Sequence, residues 1–306
     1  MVQRAQEVAA QVAAQVIAGR LVPGDPVPAV RALAEQVRCS PGTAARAQAV
    51  LREAGVIAGL PRSQAVVTAD GVTRALSMSA SGGTVRLSGS DDPALDLLVS
   101  AVGTTVARAA GGRGSVAGLS LLAQGGVDAA AVHLRDARTG RSNDTFARRI
   151  LGGEPARLIH LWSREQGIVV PRGNPLGIRG TADLDGARLA WRPHGTGSRL
   201  LLTRLLRAAG ANPAPEAELC DSHLAVAVAV ATGAVDAGLA VRSVAEAVDA
   251  DFLPVEWEDF ELAVGPESVG LLGPVLDVLA STSVHDRVAG LGGYDLRRSG
   301  ESRIAA

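Results

Sequence analysis

Five consecutive residues, Gly195-Thr196-Gly197-Ser198-Arg199, concentrate much of the chemistry legible in this chain. Glycines let the backbone approach a ligand closely, and the free N–H groups at a helix start attract negative charge. The loop lies between an apolar run, ARLAW, and a helix-compatible run, LLLTRLLRAAG. A helix cap beside a surface arginine is the plainer reading. Capping needs one hydroxyl, however, and this loop offers two hydroxyls and a guanidinium. Thr196, Gly197, Ser198 and Arg199 are therefore expected to contact a ligand.

Other candidates sit at similar places. Ser115 precedes a helix and serves either as a cap or as a ligand donor. In Ser90-Asp91-Asp92-Pro93 the last aspartate has the N-cap position before a proline, which leaves Ser90 and Asp91 to face a cleft. His223 follows the expected cap Ser222, and His133 ends an apolar strand; for both, a structural role and a ligand contact are balanced. An ionised aspartate within a few ångströms of a bare oxyanion is costly in a poorly solvated site. If Asp91 or Asp92 faces the cleft, a zwitterion or polar organic acid fits; if both cap helices, an oxyanion such as molybdate stays open.

Several chemistries are excluded. All 30 basic residues are arginine, so there is no Schiff-base lysine for pyridoxal phosphate and no Walker-type lysine. Five histidines without i, i+3 or i+4 pairing give no metal site, and no cofactor is expected. With no serine–histidine–acid set and no nucleophile elbow, the chain is not expected to be an enzyme. Cys39 and Cys220 lie far apart and read as free thiols in a reducing compartment. Trp162, Trp191 and Trp257 read as core or hinge packing, with Trp191 next to the glycine loop.

The elements that position these residues fall into two domains, as 306 residues suggest. MVQRAQEVAAQVAAQVIAG reads as an amphipathic helix and lacks the character of a signal peptide, so a cytoplasmic location is expected. The longest apolar stretch, Leu224 to Val241, is broken by Gly233 and Asp236 and reads as helix then strand, with no membrane partner. Pro23, Gly24, Pro26 and Pro28 forbid helix between Leu21 and Pro28. Val30, Leu33, Ala34 and Val37 then form one stripe of a short helix. Ser40-Pro41 caps the next helix, whose inner face is Ala44, Ala47, Val50 and Leu51 and whose outer face carries Gly42, Thr43, Arg46 and Arg52. A helix with small and basic residues at its outer N-terminal end can enter a major groove. Through residue 75 there are eight arginines against five carboxylates, a sign that suits DNA.

The run G-x-L-x-P-G-D-x-x-P-A-x-R-x-L-A, then S-P-G-T-x-x-R-A and L-x-x-x-G-x-I, resembles the GntR family of bacterial transcription regulators, in particular its YtrA-like branch. The resemblance implies a winged helix-turn-helix that binds double-stranded operator DNA as a homodimer. On the matching positions it implies contacts from Arg31, Ser40, Gly42, Thr43 and Arg46, and from Arg62 in a wing. Pro41 stands where many relatives have a basic residue, and Gly59-Leu60-Pro61-Arg62-Ser63 replaces the usual R-x-G-x-G tip. Base preference does not carry over.

Residues 70–84, small and polar, read as a linker between residues 1–69 and 85–306. Beyond them strands alternate with helices, the pattern of a mostly parallel α/β sheet. Ala117–Ala129 and Ala225–Ala237 repeat one plan, in which a helix and a glycine stop lead through Val-Asp-Ala into a strand. Two lobes on one plan is the layout of a periplasmic-binding-protein fold, with lobe I at about 85–168 and 260–306 and lobe II at about 169–259. The succession G-S-D-D from Gly89, R-E-Q-G from Arg164, R-x-x-G-T-G-S-R from Arg192, S-H-L-A-V-A from Ser222 and G-G-Y-D from Gly292 is similar to PBP-like domains. These accompany helix-turn-helix regulators and molybdopterin-biosynthesis-type proteins. The resemblance implies a small-molecule or oxyanion effector between the lobes and adds Arg164 to its contacts. The expected fold is thus an α+β winged helix-turn-helix followed by a two-lobed α/β periplasmic-binding-protein-like domain. The expected function is a ligand-responsive, one-component transcription regulator, by default a repressor. The alternative is a molybdenum-cofactor-type biosynthetic or oxyanion-binding protein with an autoregulatory DNA-binding domain.

Overall fold

Prolines and caps set the N-terminal elements. The computed structural model describes residues 2–59, 64–79, 83–136, 138–215 and 218–305. Helix α1 spans Val2–Ile17, α2 Val30–Gln36 and α3 Pro41–Glu53. Ser40 is extended and its hydroxyl accepts from the Thr43 N–H at 3.2 Å, with Pro41 opening the helix. Ala44, Ala47 and Leu51 are buried, as is Gln48, whose amide donates to the Pro28 carbonyl at 2.8 Å. Arg52 turns back onto Gln48 at 3.1 Å and does not extend the outer face. Strands β1 (Ile57–Ala58) and β2 (Val66–Val67) pair antiparallel and form the base of the wing. Its tip, including Arg62, lies outside the described residues.

The expected linker at 70–84 needs correction, because Gly71–Met78 forms helix α4. Val72, Ala75 and Leu76 follow helical spacing and are buried. Too short to stand out in a small, polar stretch, this stripe is held by tertiary packing. α4 packs against α1 and against α11 (Gly273–Leu279), and the Thr73 hydroxyl donates to the Gly300 carbonyl. Val8, Leu33, Leu51 and Leu76 consequently share one hydrophobic core with Leu87, Leu95, Phe260 and Leu276. The Arg157 guanidinium also reaches the Ile17 carbonyl at 2.7 Å.

The rest of the chain builds one ten-stranded sheet with two halves of matching topology. The first half contains β3 (Val85–Gly89), α5 (Pro93–Val102), β4 (Val106–Arg113), α6 (Ser115–Ala123), β5 (Ala129–Val132) and α7 (Asp144–Ile150). Next comes β6 (Arg157–Val170), which leads into β7 (Leu189–Trp191), α8 (Gly197–Ala209), β8 (Glu218–Leu219), α9 (His223–Ala231), β9 (Ala237–Val241) and α10 (Arg242–Ala247). The chain returns along β10 (Asp251–Val264) to α11, α12 (Thr282–Ala289), β11 (Tyr294–Asp295) and β12 (Ser302–Ile304). Strand order is β4-β3-β5-β10 in lobe I and β8-β7-β9-β6 in lobe II. Each half has three parallel strands closed by one antiparallel strand.

The closing strands β6 and β10 pair with each other and run through both lobes. β10 meets β5 through Glu261–Val264, and β6 meets β9 through Gln166–Val169. The chain thus crosses between lobes around Arg164 on one strand and Glu258 on the other. Register shifts at Pro254/Glu256 and Phe260/Glu261 bracket that crossing.

The Val-Asp-Ala repeat has a structural cause. Asp128 accepts from the Arg86 backbone N–H at 2.8 Å and from its guanidinium, which also reaches the Gly126 carbonyl. Asp236 receives the same set from Arg188, whose guanidinium reaches the Ala234 carbonyl. Each aspartate ties the strand it enters to the first strand of its lobe.

Candidate ligand site between the lobes

The crossing strands carry a buried polar cluster, and the loops above it complete the site. Arg164 is fully buried, its Nε 2.8 Å from Glu258 Oε1 and its Nη1 2.5 Å from Asp92 Oδ2. Its guanidinium also lies 4.5 Å from the centre of the Phe260 ring, which stacks on Trp162. Asp92 caps α5, accepting from the N–H groups of Ala94 and Leu95 at 2.8 and 3.2 Å. Gln166 donates to Glu258 at 2.8 Å and to Ser198 at 3.0 Å, joining the crossing to the first turn of α8. His133 Nδ1 lies 2.9 Å from Glu258 Oε1, and the His133 N–H donates to the Ser115 hydroxyl at 3.1 Å. Ser115 and Ser90 hydroxyls are 2.8 Å apart.

Asp91 spans the lobes. Its carboxylate belongs to the β3–α5 loop of lobe I, yet it pairs with the Arg192 guanidinium and accepts from the His223 N–H at 3.0 Å, both in lobe II. The lobes also touch where the Val116 N–H donates to the Gly195 carbonyl at 3.3 Å. Gly197 packs so closely on the His133 ring that a Cβ there would overlap it. The described conformation is therefore closed. Two cavities border these contacts: one of about 560 Å³ lined by Leu134, Phe146, Leu200, Arg204 and Glu258, and one of about 310 Å³ lined by Ser88, Asp91, Arg113 and Ser222.

Burial and charge set the protonation of the cluster. Burial opposes ionisation of Glu258, but His133 and Arg164 outweigh it and hold its carboxyl down to about 2. Burial pushes His133 down, and it pushes His223 far down, so both rings are neutral at pH 7. Burial opposes the charge of Asp91 too, yet the polar start of α9 and the Arg192 fork keep its carboxyl well below the usual range. Arg164, despite burial, is held charged by Glu258 and Asp92. Several buried polar atoms here have no hydrogen-bond partner among the described residues: Arg164 Nη2, Gln166 Oε1, Arg192 Nε and His223 Nδ1. Such atoms are costly unless a ligand or water pairs with them.

Of the residues expected from sequence, Ser90, Asp91, Ser115, His133, Arg164, Thr196, Gly197, Ser198 and His223 are brought to this junction. Arg199 is not. Its guanidinium stacks 4.0 Å over the Trp191 ring and donates to the Arg192 carbonyl, turned along its own lobe. Thr196 is spent on capping, accepting from Arg199 N–H and donating to the Pro193 carbonyl. Sequence reasoning does not single out Glu258, and it includes Arg192, Gln166 and Tyr294 in motifs without assigning them to the site, although the Tyr294 hydroxyl is 3.3 Å from Asp92. A signal existed for Glu258: the strand VEWEDFE carries more carboxylates than a half-buried strand needs. In the N-terminal domain Arg31, Ser40, Gly42 and Arg46 are exposed and Thr43 half-buried, all at the outer end of α2 and α3. His160, Asp259 and Glu261 also converge, but Arg303 forks Glu261 and Arg298 lies 3.5 Å from Asp259, so the carboxylate charge there already has arginine partners.

Comparison with known proteins agrees with both halves. Residues 4–67 match the family described as bacterial regulatory proteins, gntR family, and residues 100–270 match the PBP superfamily domain. The Bacillus subtilis (strain 168) protein YvgK, itself uncharacterized, is 34% identical over 194 residues, 62% of this chain and 63% of its own length. The chain thus spans less than two thirds of that relative. An uncharacterized Clostridium pasteurianum protein, from the 5′ region of a ferredoxin 2Fe-2S gene, is 34% identical over 85 residues, 27% of this chain and 75% of its own. Among solved structures, a peroxide-bound mutant of OxyR from Corynebacterium glutamicum aligns with 95% of this chain and 94% of its own at 12% identity and a TM-score of 0.49. No described helix is long and apolar enough to cross a membrane. The chain belongs to the PBP superfamily and carries a gntR-family regulatory domain in front of its two lobes.

Proposed function

We propose that the protein is a ligand-responsive transcription regulator whose N-terminal winged helix binds operator DNA as a homodimer and whose interlobe cleft binds a small polar effector. One observation carries the reading: a capped, outward-facing recognition helix shares a continuous core with a lobe whose partner lobe closes over a buried polar junction. An effector that favours one lobe arrangement shifts the population toward it, and a dimer built on lobe I would convert that shift into a change of half-site spacing. Repression relieved by effector is the default direction. Asp91 facing the cleft favours a zwitterion or a polar organic acid over a bare oxyanion, since the latter would meet a carboxylate. A molybdenum-cofactor role is the rival, and it predicts turnover or a molybdate response.

Two substitutions test the division of labour on the full chain. Arg46→Ala is expected to weaken operator binding roughly tenfold and leave effector binding unchanged. Ser198→Ala is expected to weaken effector binding and leave the affinity for DNA alone. Equal operator affinity after the first change would remove α3 from the groove; equal effector affinity after the second would remove α8 from the site. Thermal shifts against amino acids, organic acids, sulfonates, sugar phosphates and oxyanions identify the effector class, because binding the folded state alone raises Tm.

A further inference from the structure

We propose that the Asp91 carboxylate occupies the seat of the effector's own carboxylate, so that the effector binds lobe II by displacing a tethered competitor belonging to lobe I. The inference rests on the reading of the cleft as the effector site and adds what the effector must carry.

Arg192 stands just before the α8 loop and presents two guanidinium nitrogens to the two oxygens of one carboxylate. The first N–H of α9, from His223, adds a third donor at 3.0 Å. A planar, forked acceptor beside a helix start matches a carboxylate better than a tetrahedral oxyanion. These three donors belong to lobe II, while the group that satisfies them arrives from lobe I on a loop. Asp91 is not needed to cap α5, because Asp92 does that through Ala94 and Leu95. Nor is it held within its own lobe by any side-chain hydrogen bond among the described residues.

The neighbouring atoms are unfinished. Among the described residues, Arg192 Nε and His223 Nδ1 are buried without a partner at the seat, and Arg164 Nη2 and Gln166 Oε1 are unpartnered in the adjoining cluster. Asp91 therefore satisfies the outer donors and leaves the inner polar atoms unmet. An effector with a carboxylate and further polar groups can meet both sets. Once displaced, Asp91 is left facing the cleft, where an ammonium or hydroxyl of the same effector gives it a partner. Binding then exchanges one carboxylate for another at Arg192, and the net charge of the junction changes little if the effector also brings a cation.

The test is chemical rescue of the full-length chain. Asp91→Ala empties the seat and leaves Arg192 unpaired, so Tm in chloride is expected to fall. Formate at constant ionic strength is expected to restore it in a saturable manner; at ten times its Kd the folding equilibrium shifts about elevenfold. Wild-type protein and Asp91→Asn, whose seats stay filled, are expected to show no such formate response, and Asp91→Ala/Arg192→Ala none either. Asp91→Ser supplies the same test with a smaller perturbation should the alanine variant not fold. Absence of formate rescue in both opened variants overturns the proposal, as does rescue that survives loss of Arg192. An equal response to sulfate or molybdate overturns the carboxylate assignment. DNA does not enter the measurement, so its failure leaves the regulator reading standing, and failure of Arg46→Ala to weaken operator binding leaves the seat intact.

Discussion

In lobe I the Arg86 backbone and guanidinium hold Asp128; in lobe II Arg188 holds Asp236 through the same atoms, and strand order around each clamp is the same. The helix starts that follow this shared plan differ. α6 opens on Ser115, whose hydroxyl turns back to Ser90 and the His133 N–H inside lobe I. α9 opens on His223, whose N–H is taken by a carboxylate from across the cleft. Their surroundings differ too. Lobe I shares its core with the N-terminal helices, whereas among the described residues the two cores of lobe II draw on none before Ile168. The repeated part is framework, and the unrepeated part is where one lobe meets the N-terminal helices and the other meets the Asp91 carboxylate of its neighbour.

The largest expected effect breaks that asymmetry at its root. Leu76→Ala removes a fully buried side chain from the shared core and should cost about 3 kcal/mol. Hydrogen exchange should then quicken together in α1, α3, α5 and α11 while α8 and α9 keep their protection. Uniform loss across all helices would mean that the two lobes and the N-terminal domain unfold as one unit.

A smaller effect sharpens the comparison at the crossing, which belongs to both lobes. Glu258 has its carboxyl depressed to about 2 from an ordinary 4.5, so its contribution to stability is complete above pH 4.5 and is lost as pH falls through about 2. Urea unfolding of Glu258→Gln should show a shallower pH dependence in that window, by up to about 1.4 kcal/mol per pH unit. An unchanged slope would place the acid sensitivity elsewhere.

The smallest effects test the repeat itself. Asp128→Ala and Asp236→Ala each delete the acceptor of a strand-tying backbone N–H, at about 1 kcal/mol apiece. Being in different lobes, the two losses should add in urea denaturation of the double variant. Unequal or strongly coupled losses would show that the clamps are alike in geometry only.

What the sequence made legible follows from the range of the interactions concerned. Ser40-Pro41 announced α3 because a cap is local, and the Val-Asp-Ala repeat announced the two-lobed plan because each lobe repeats the same local turn. Helix α4 was hidden because its short apolar stripe acquires meaning only against α1 and α11. Asp92 was readable as a cap, while its Arg164 partner, 72 residues away, was not. Glu258 and Gln166 were missed because the register of two long antiparallel strands decides which of their polar residues meet, and Arg192 because its Asp91 partner lies 101 residues away in the other lobe. Arg199 lies off the junction for a reason the local motif does not show: its guanidinium stacks on the neighbouring Trp191 ring.

The paired crossing strands have a further consequence for inheritance. The chain leaves lobe I once, near Arg164, and returns once, near Glu258, with the two points side by side in the sheet. Lobe II is therefore a single uninterrupted cassette spliced into lobe I. Under the proposed function, exchanging it between related chains at these neighbouring seams would change the effector while leaving the N-terminal domain's contacts intact.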